Sequence, residues 1–412
     1  MFRQLPIKSL IFTLVVVLAL PAVSSASVGT AKMVLGKVML ANAQGDRKRL
    51  RRGGKVNVGD MIITSKRGQA QLTMMDGTKI SVRPGSKFQI EAFVATGHVE
   101  DQKTYYKLLK GGFRSVTGKI GKRNKASFRL STPVATMGIR GTDFTGKYCN
   151  DDCPAAAGKN GLFVDVISGG VSMHNEGGTF DLDKETNGYV SDVGHAPESL
   201  PELPDNLLSP KARSAKKHDR YPSPEEEAVQ IGLYIDPENK EEILAEAMDA
   251  GVPPAAIMRG ADSAGLKAKE FVPQLIKKGK ERGMDTSDFV APILDSGLDA
   301  ERMIDGLMSA NPESASDILT AAIATGGFDN SRLEQSALSA GVSSREIESA
   351  DTVGNLLALP PEVKKLLSEP KSNSGKNEGN RLNEDKPSQD ALNKNAPALN
   401  PSGERGGVAS PS

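Results

Sequence analysis

The chain has 412 residues, with 24 prolines, no tryptophan and only 38% hydrophobic residues. This composition excludes one uniformly packed globule and predicts ordered parts diluted by polar linkers or tails. The net charge of +1 conceals an asymmetry, because Val28 to Tyr148 carries 24 Lys and Arg against 7 Asp and Glu, whereas the chain beyond Tyr148 carries 26 against 44. The basic half, at +17, and the acidic half, at −18, are therefore able to attract each other.

The first 26 residues predict an export signal peptide. Arg3 and Lys8 supply positive charge, Leu10 to Leu20 an apolar run, and Ser24-Ser25-Ala26 a small-residue cleavage site. The apolar run is short for a membrane-spanning helix, which needs about 20 residues. We expect cleavage after Ala26, no transmembrane span in the mature chain, and a periplasmic or extracellular location. An uncleaved signal anchor is the alternative.

The basic half alternates apolar and polar residues, as half-buried strands do. Asp76-Gly77 predicts a type I′ hairpin turn, which needs positive φ at both central positions. Gly-Gly pairs at 111–112, 169–170 and 177–178 punctuate other strands. The pattern predicts a sandwich, barrel or coil of strands rather than an α/β enzyme. The predicted strands are 61–64, 69–74, 79–82, 87–93, 105–109, 113–116, 127–130, 163–167, 171–174 and 179–182.

Several motifs, in this order along the chain, resemble the FecR-type periplasmic domain. They are Val58 to Thr64, Ala70-Gln71-Leu72, Asp76-Gly77-Thr78, Leu109 to Phe113, and Thr132 to Phe144, which reads TPVATMGIRGTDF. The resemblance spans residues 35–195 and implies an all-β, non-enzymatic, extracytoplasmic binding or sensing domain. In well-understood members this domain reads an outer-membrane iron-siderophore receptor and controls a sigma factor through a cytoplasmic helical domain. Only about nine residues precede the apolar run here, so we expect a stand-alone domain lacking the cytoplasmic anti-sigma part, and no iron signalling.

The segment GIRGTDF has two predicted structural features. Gly138 and Gly141 flank Ile139-Arg140, which predicts a sharp turn or a close approach of another strand. Arg140 and Asp143 lie close enough in sequence to form a charge-assisted ion pair. The alternative role for Arg140 is to present its guanidinium group to an anionic ligand.

Two basic runs are the other candidate binding surface. One contains Arg47, Lys48, Arg49, Arg51 and Arg52, and the other contains Lys122 and Arg123. Because the chain is expected to be exported, we predict no nucleic acid partner. The predicted partner is an envelope protein or an anionic envelope component, and solvated loops without a partner are the alternative.

Cys149 and Cys153 are the only cysteines, and export brings them to an oxidising environment. We therefore predict a disulfide that closes a small loop. A redox or metal pair is the alternative, but CNDDC lacks a nearby histidine and the usual two-residue spacing.

The acidic half predicts short helices after a linker at residues 196–224. Glycines at 251, 265, 283, 297, 327 and 341 are each followed six positions later by an apolar residue, and Asn311 divides the longest interval. Each unit is typical of a C-capping glycine followed by a helix of about two turns. Helices this short must stack, so we predict an α-helical repeat domain at 225–350, with an irregular bundle as the alternative. The tail at 360–412 is predicted to be disordered.

No known catalytic constellation accompanies these features. The four histidines, at 98, 174, 195 and 218, show no metal-ligand spacing, and no nucleotide-binding fingerprint occurs. We therefore expect no catalytic, cofactor or metal site. The favoured function is an exported, non-enzymatic, sensor-like adaptor, with the β domain binding an envelope ligand or protein and the helices binding a protein. The alternative is a polyanion-binding or glycan-binding module that uses the basic loops. The sequence leaves the ligand and the oligomeric state open.

Overall fold

The computed structural model describes residues 27–153, 158–204, 207 and 221–359. A β-rich part from Gly29 to Leu200 precedes a helical part from Pro224 to Ala358, which confirms the predicted fold class. The predicted signal peptide, the predicted tail and much of the predicted linker lie outside the described residues. The β-rich and helical parts belong to one compact unit. Whether each part folds alone stays a prediction.

The β-rich part contains more strands than the alternation pattern predicts. Several of the additional strands, such as Arg47–Arg49, Lys55–Val56 and Glu198–Leu200, are only two or three residues long and too short to show alternation. In chain order the strands are β1 Gly29–Leu35, β2 Val38–Ala41, β3 Arg47–Arg49, β4 Lys55–Val56, β5 Met61–Thr64, β6 Gln69–Met74, β7 Lys79–Val82, β8 Lys87–Val94, β9 Lys103–Val116, β10 Phe128–Ser131, β11 Thr136–Ile139, β12 Asp143–Cys149, β13 Gly161–Ser168, β14 Gly170–Asn175, β15 Gly178–Asp183, β16 Asn187–Val190 and β17 Glu198–Leu200.

The strands form two sheets that share β9. Sheet A has the order β4-β1-β6-β7-β9-β12-β13-β16-β17. Sheet B has the order β3-β2-β5-β8-β9-β10-β11-β14-β15, and only its β9–β10 pair is parallel. Apolar side chains from both sheets make one core, in which the rings of Phe113 and Phe144 lie 5.3 Å apart. The β-rich part is therefore a sandwich.

Strand β9 corrects the prediction of two separate strands at 105–109 and 113–116. It continues through Gly111-Gly112, pairing with β8 in sheet B and with β7 in sheet A. Gly111 has a φ of +83°, and a Cβ there would lie 2.7 Å from the Cα of Ser86. The glycine pair is thus a bend inside one strand, where the backbone of the β7–β8 turn approaches closely.

The turn at Asp76-Gly77 also differs from the predicted type I′ geometry. Gly77 has a φ of +84°, but Asp76 is not among the described non-glycine residues with positive φ. The connection from β6 to β7 has four residues instead of two, and the Asp76 carboxylate accepts hydrogen bonds from the N–H and the hydroxyl of Thr78 at 3.0 and 2.8 Å. The side chain therefore stabilises a wider turn in which glycine alone needs the left-handed region.

Most helices within the described residues are longer than the predicted two turns, with α1 Lys119–Arg123 and α6 Val290–Ser296 as the short ones. Only the first, which follows β9, lies in the β-rich part, and the others form the helical array. In chain order they are α1 Lys119–Arg123, α2 Pro224–Ile235, α3 Lys240–Asp249, α4 Pro254–Ser263, α5 Ala268–Lys280, α6 Val290–Ser296, α7 Ala300–Ala310, α8 Ala315–Thr325, α9 Asn330–Ser339 and α10 Ser344–Ala358.

Each helix of the array packs on the helix two positions further along the chain. Helices α2, α4, α6, α8 and α10 make one row, and α3, α5, α7 and α9 make the other. The two rows enclose a continuous apolar core. This arrangement is the stacked helical repeat that the sequence predicts. Within the described part of the chain, every helix is too short or too polar to cross a membrane.

The predicted glycine caps are confirmed. The glycines at 251, 265, 283, 297, 327 and 341 all have positive φ, from +65° to +95°. Asn311, which divides the longest interval between these glycines, does not take this conformation, since its φ is −142°. Its side-chain amide instead donates to the carbonyl of Leu307 at 3.2 Å. A polar cap thus ends α7 where a left-handed residue ends the other units.

Candidate functional site

The outer face of sheet A carries a set of polar side chains beneath the helical array. Along each strand of this sheet, alternate residues enter the sandwich core, and the residues between them point outward. The strand register aligns the outward residues into rows across the sheet. One row contains Gln71, Ser81, Arg114, Thr145 and Asp165, and the next contains Gln69, Arg83, Gly112 and Lys147.

Arg114 is the most extensively bonded of these residues. Its Nε and Nη2 donate to the two carboxylate oxygens of Asp143 at 2.9 and 2.8 Å, a bidentate pair. Its Nη1 donates to the Glu227 carboxylate at 3.0 Å and to the carbonyl of Pro222 at 2.9 Å. Only 3% of its side chain is exposed. Arg114 therefore joins a strand of sheet A to helix α2 and to the residues before it.

Glu227 lies between two arginines. One carboxylate oxygen accepts from Arg114, and the other accepts from Nη2 of Arg83. The side chains of Arg83 and Glu227 are each only 6% exposed. Nε and Nη1 of Arg83 are buried without a hydrogen-bond partner among the described residues. Buried charges need such partners to offset their lost hydration. The hydrogen bonding of this cluster is therefore incomplete at Arg83 within the described residues.

Burial shifts the ionisation of several groups on this face. Burial raises the pKa of Asp165 to about 6, against the attraction of Arg83 and with a further rise from Glu227. Burial lowers the pKa of Lys147, and the like charge of Arg83 lowers it further. Burial also acts to lower the pKa of Arg114, but the hydrogen bonds and charges of its two acidic partners outweigh burial and raise that pKa.

Two glutamines bind the backbone of α2. The amide of Gln69 donates to the carbonyl of Ala228 at 2.6 Å, and the amide of Gln71 donates to the carbonyl of Pro224. Ser223 caps the helix, and its hydroxyl accepts from the N–H of Glu226 at 3.1 Å. The sheet therefore contacts both the acidic side chains and the main chain of the first turns of α2.

More exposed ion pairs surround this centre. Lys79 pairs with Glu225 at 2.6 Å, and Arg67 pairs with Asp236 at 3.3 Å. Arg52 pairs with two acidic residues of α3, at 3.4 and 3.6 Å. Each pair joins the basic half to the acidic half, so the predicted mutual attraction of the halves takes the form of a docked contact.

Two crevices open beside α2 where the array meets the sheet. One has a volume of about 550 Å³ and is lined by Lys32, Gln71, Lys79, Glu225 and Arg259, among others. The other has a volume of about 340 Å³ and is lined by Leu35, Arg49, Arg67, Asp236 and Glu242, among others. The contact between sheet and array is therefore not closely packed along its margins.

The predicted basic residues lie on separate elements. Arg47, Lys48 and Arg49 form β3, an exposed strand at the edge of sheet B. Arg51 is exposed, and Arg52 is used in the contact with α3. In α1, by contrast, Lys122 and Arg123 are exposed while Ile120 is buried. The two runs therefore offer two basic patches, one of which already meets acidic residues of the array.

The predicted pair of Arg140 with Asp143 is wrong. Asp143 binds Arg114 across the β9–β12 ladder, and Arg140 donates to Asp183 at 2.7 Å on the surface. Asp143 begins β12, which pairs with β9, the strand that carries Arg114. Arg140 lies before the turn at Gly141, and its side chain reaches Asp183 of β15 instead. Sequence proximity thus did not identify the partner of either residue.

The predicted left-handed turn in GIRGTDF is present at one of the two glycines. Gly141 has a φ of +72°, whereas Gly138 lies in the regular strand β11. A Cβ added at either glycine would meet no atom of the described residues within 4 Å. Gly141 is therefore needed for its backbone conformation, and a close strand approach is not found at either position.

The predicted disulfide between Cys149 and Cys153 is present, with the Cα atoms 5.4 Å apart. Cys149 ends β12 and packs with Phe163 and Tyr189 on the outer face of sheet A. The disulfide thus borders the same sheet face that binds α2. Across the described residues, no group of three or more His, Cys, Asp or Glu side chains could hold a metal ion.

Sequence reasoning missed the buried centre of this site, which consists of Arg83, Arg114 and Glu227. Arg114 interrupts the apolar stretch of β9, and Arg83 directly follows β7. An arginine inside a strand, in a chain whose halves carry opposite charge, is a signal that could have indicated a buried ion pair. The partner in α2 lies more than 110 residues away, which no local pattern reveals.

The family model described as "FecR protein" matches residues 60–172, which run from β5 into β14. The chain contains a FecR domain. This confirms the resemblance carried by the sequence motifs. A FecR domain is a sensor or regulatory type of envelope domain, and together with the disulfide it indicates an extracytoplasmic location.

The solved structures that match this chain share little sequence identity with it and cover only part of its length. Two titled "putative anti-sigma factor" from Parabacteroides distasonis ATCC 8503 are each 15% identical to this chain. The first covers 35% of this chain and 60% of its own chain with a TM-score of 0.28, and the second covers 39% and 71% with a TM-score of 0.29. A "Cell surface anchoring domain" is 21% identical over 15% of this chain and 80% of its own, with a TM-score of 0.15. This chain thus spans less than two thirds of the first structure. No curated protein matches it.

Proposed function

We propose that the protein is an exported, non-enzymatic adaptor of the cell envelope that binds a protein partner. One observation carries the proposal: a FecR domain is joined to an array of stacked helices through a buried ionic contact. Stacked helical repeats present long surfaces suited to protein contact. The array also has a polar groove of about 590 Å³, lined by Asp299, Arg302, Asp305, Arg332 and Gln335, among others. The FecR domain and the array would thus act together as one receptor.

The alternative function is binding of an anionic envelope polymer by the basic patches. The exposed side chains of β3 favour it, because Arg47, Lys48 and Arg49 stand together on an uncovered sheet edge. The use of Arg52 against α3 weighs against it, since part of this patch is already neutralised by acidic residues. We therefore favour the adaptor function.

Cross-linking in the intact envelope with a variant panel tests the proposal. One variant replaces Arg47, Lys48 and Arg49 by glutamine, and another replaces Arg302 and Gln335 in the groove by alanine. An adaptor that uses the array should lose its captured protein in the groove variant and keep it in the β3 variant. A polyanion binder should show the reverse, with an affinity that falls steeply as salt is added. Capture that neither variant affects would contradict both proposed surfaces.

A further inference from the structure

The contact between α2 and sheet A has a small apolar component. Met33 and Leu35 of β1 join the core of the array, and both are buried. The other contacts are the arginine–glutamate centre, the two glutamine amides and the exposed ion pairs. Ion pairs gain little net free energy over their hydrated, separated state. The free energy that closes this contact is therefore small compared with that of either core.

The centre of the contact is also incompletely satisfied. Glu227 and Asp143 together oppose the charges of Arg83 and Arg114, but Nε and Nη1 of Arg83 find no partner among the described residues. Water would satisfy those N–H groups if the array moved away. Opening would hydrate these groups, which offsets part of the free energy lost when the ion pairs separate.

The crevices beside α2 give water access to the margins of the contact. One lies at the first turn of α2 and the other at its last turn, and each is lined by residues of both the sheet and the array. An array that moves as one stacked body would widen them while its helices stay packed on one another, because α2 is tied to α4 by the pair of Glu226 with Arg259 at 2.9 Å. The weak boundary of the molecule is therefore the contact between α2 and the sheet.

We propose that this contact is a reversible latch, closed by Glu227 between Arg83 and Arg114, and that its opening uncovers a cationic face of the FecR domain. The uncovered face holds Arg83, Arg114 and Lys79 beside the amides of Gln69 and Gln71. In the closed state it binds the acidic first turns of α2. When open, it fits an acidic helical segment of a protein partner, which would compete with α2 for the same groups.

Methionine oxidation of the full-length chain by hydrogen peroxide tests the latch, with mass spectrometry as the readout. Met33 is 1% exposed at the contact, Met137 and Met173 are 0% exposed in the sandwich core, and Met75 is 68% exposed. Raising ionic strength from about 0.01 to about 1 M shortens the screening length from about 30 to about 3 Å and weakens the exposed ion pairs. We expect Met33 oxidation to speed up by about tenfold, while Met137 and Met173 stay protected and Met75 reacts throughout.

The variant Glu227→Gln should produce the same selective exposure of Met33 at low salt. Glu226→Gln is its matched control, because this carboxylate belongs to the same helical turn and is 7% exposed, but pairs with Arg259 inside the array. The control should leave Met33 as slow as in the natural chain. Equal exposure of Met33 in the two variants would overturn the proposal, because general fraying of α2 would then explain it. Oxidation of Met33 only together with Met137 would also overturn it, and the salt series on the natural chain decides this even if Glu227→Gln fails to fold.

Discussion

Replacing Gly141 by alanine should destabilise the FecR domain through backbone strain alone. Gly141 has a φ of +72°, and a Cβ there meets no atom of the described residues within 4 Å. The expected loss of folding stability therefore includes no overpacking. It comes from the left-handed backbone conformation alone, which costs an L-residue about 1–2 kcal/mol. Gly138→Ala is a matched control, since Gly138 has equal space without a positive φ. We expect its effect to stay within about 0.5 kcal/mol.

Thermal unfolding of the full-length variants measures the difference. For a part of this size, a loss of 1–2 kcal/mol corresponds to a drop in Tm of about 2–8 °C. Gly141→Val should fall further because a β-branched side chain tolerates the left-handed region poorly. Gly141→Asn should fall less, since asparagine enters that region several-fold more often than other residues. Equal Tm values for the alanine variants of Gly141 and Gly138 would refute the reasoning.

Three further predictions concern the ionic contact and the linker. Arg114→Gln should cost about 3–5 kcal/mol in urea unfolding because Asp143 loses its bidentate partner and buried Glu227 loses one of its two arginines, whereas Arg140→Gln should cost less than about 1 kcal/mol at its exposed pair; similar losses would contradict the assigned pairings. The pKa of Asp165 in the folded protein is about 6, above its usual 3.8. The contribution of Asp165 to folding stability is therefore complete below pH 3.8, and it is lost as pH rises through 6. Asp165→Asn should therefore stabilise the protein by about 1–3 kcal/mol at neutral pH and not in acid, and a gain independent of pH would exclude this cause. Proteolysis should cut at 211–220 and leave two fragments that co-elute at low ionic strength and separate at high ionic strength; separation at low ionic strength would argue against the docked contact.

Local patterns predicted the elements that depend on neighbouring residues. Strands such as Met61–Thr64 and Lys79–Val82 occur where alternation placed them, because their apolar faces must enter a core. The glycine spacing of the acidic half marked the left-handed ends of its helices, since only glycine takes that conformation without strain. Both signals act within a few residues, which is the range that a single sequence displays.

The features that sequence reasoning missed depend on strand order. Gly111-Gly112 is typical of a turn, yet it lies inside β9 because two sheets share that strand and their corner needs a bend. Asp143 pairs with Arg114 because β12 lies beside β9, although the chain places Arg140 much nearer in sequence. Pairings of this kind become visible only after the register between distant strands is known.

The contact between sheet A and α2 gives the opposite charges of the two halves a role inside the protein. A basic sequence in an extracytoplasmic protein suggests capture of external anions, and the FecR domain alone would fit that interpretation. In the folded chain, cations such as Arg83 and Arg114 bind acidic residues of the protein's own helices. The anions that this face recognises are thus carboxylates on a helix, with their backbone read by neighbouring glutamines. An external ligand of the same face must offer that arrangement of charge and backbone to displace α2, a requirement that a flexible polyanion meets poorly and an acidic protein helix meets well.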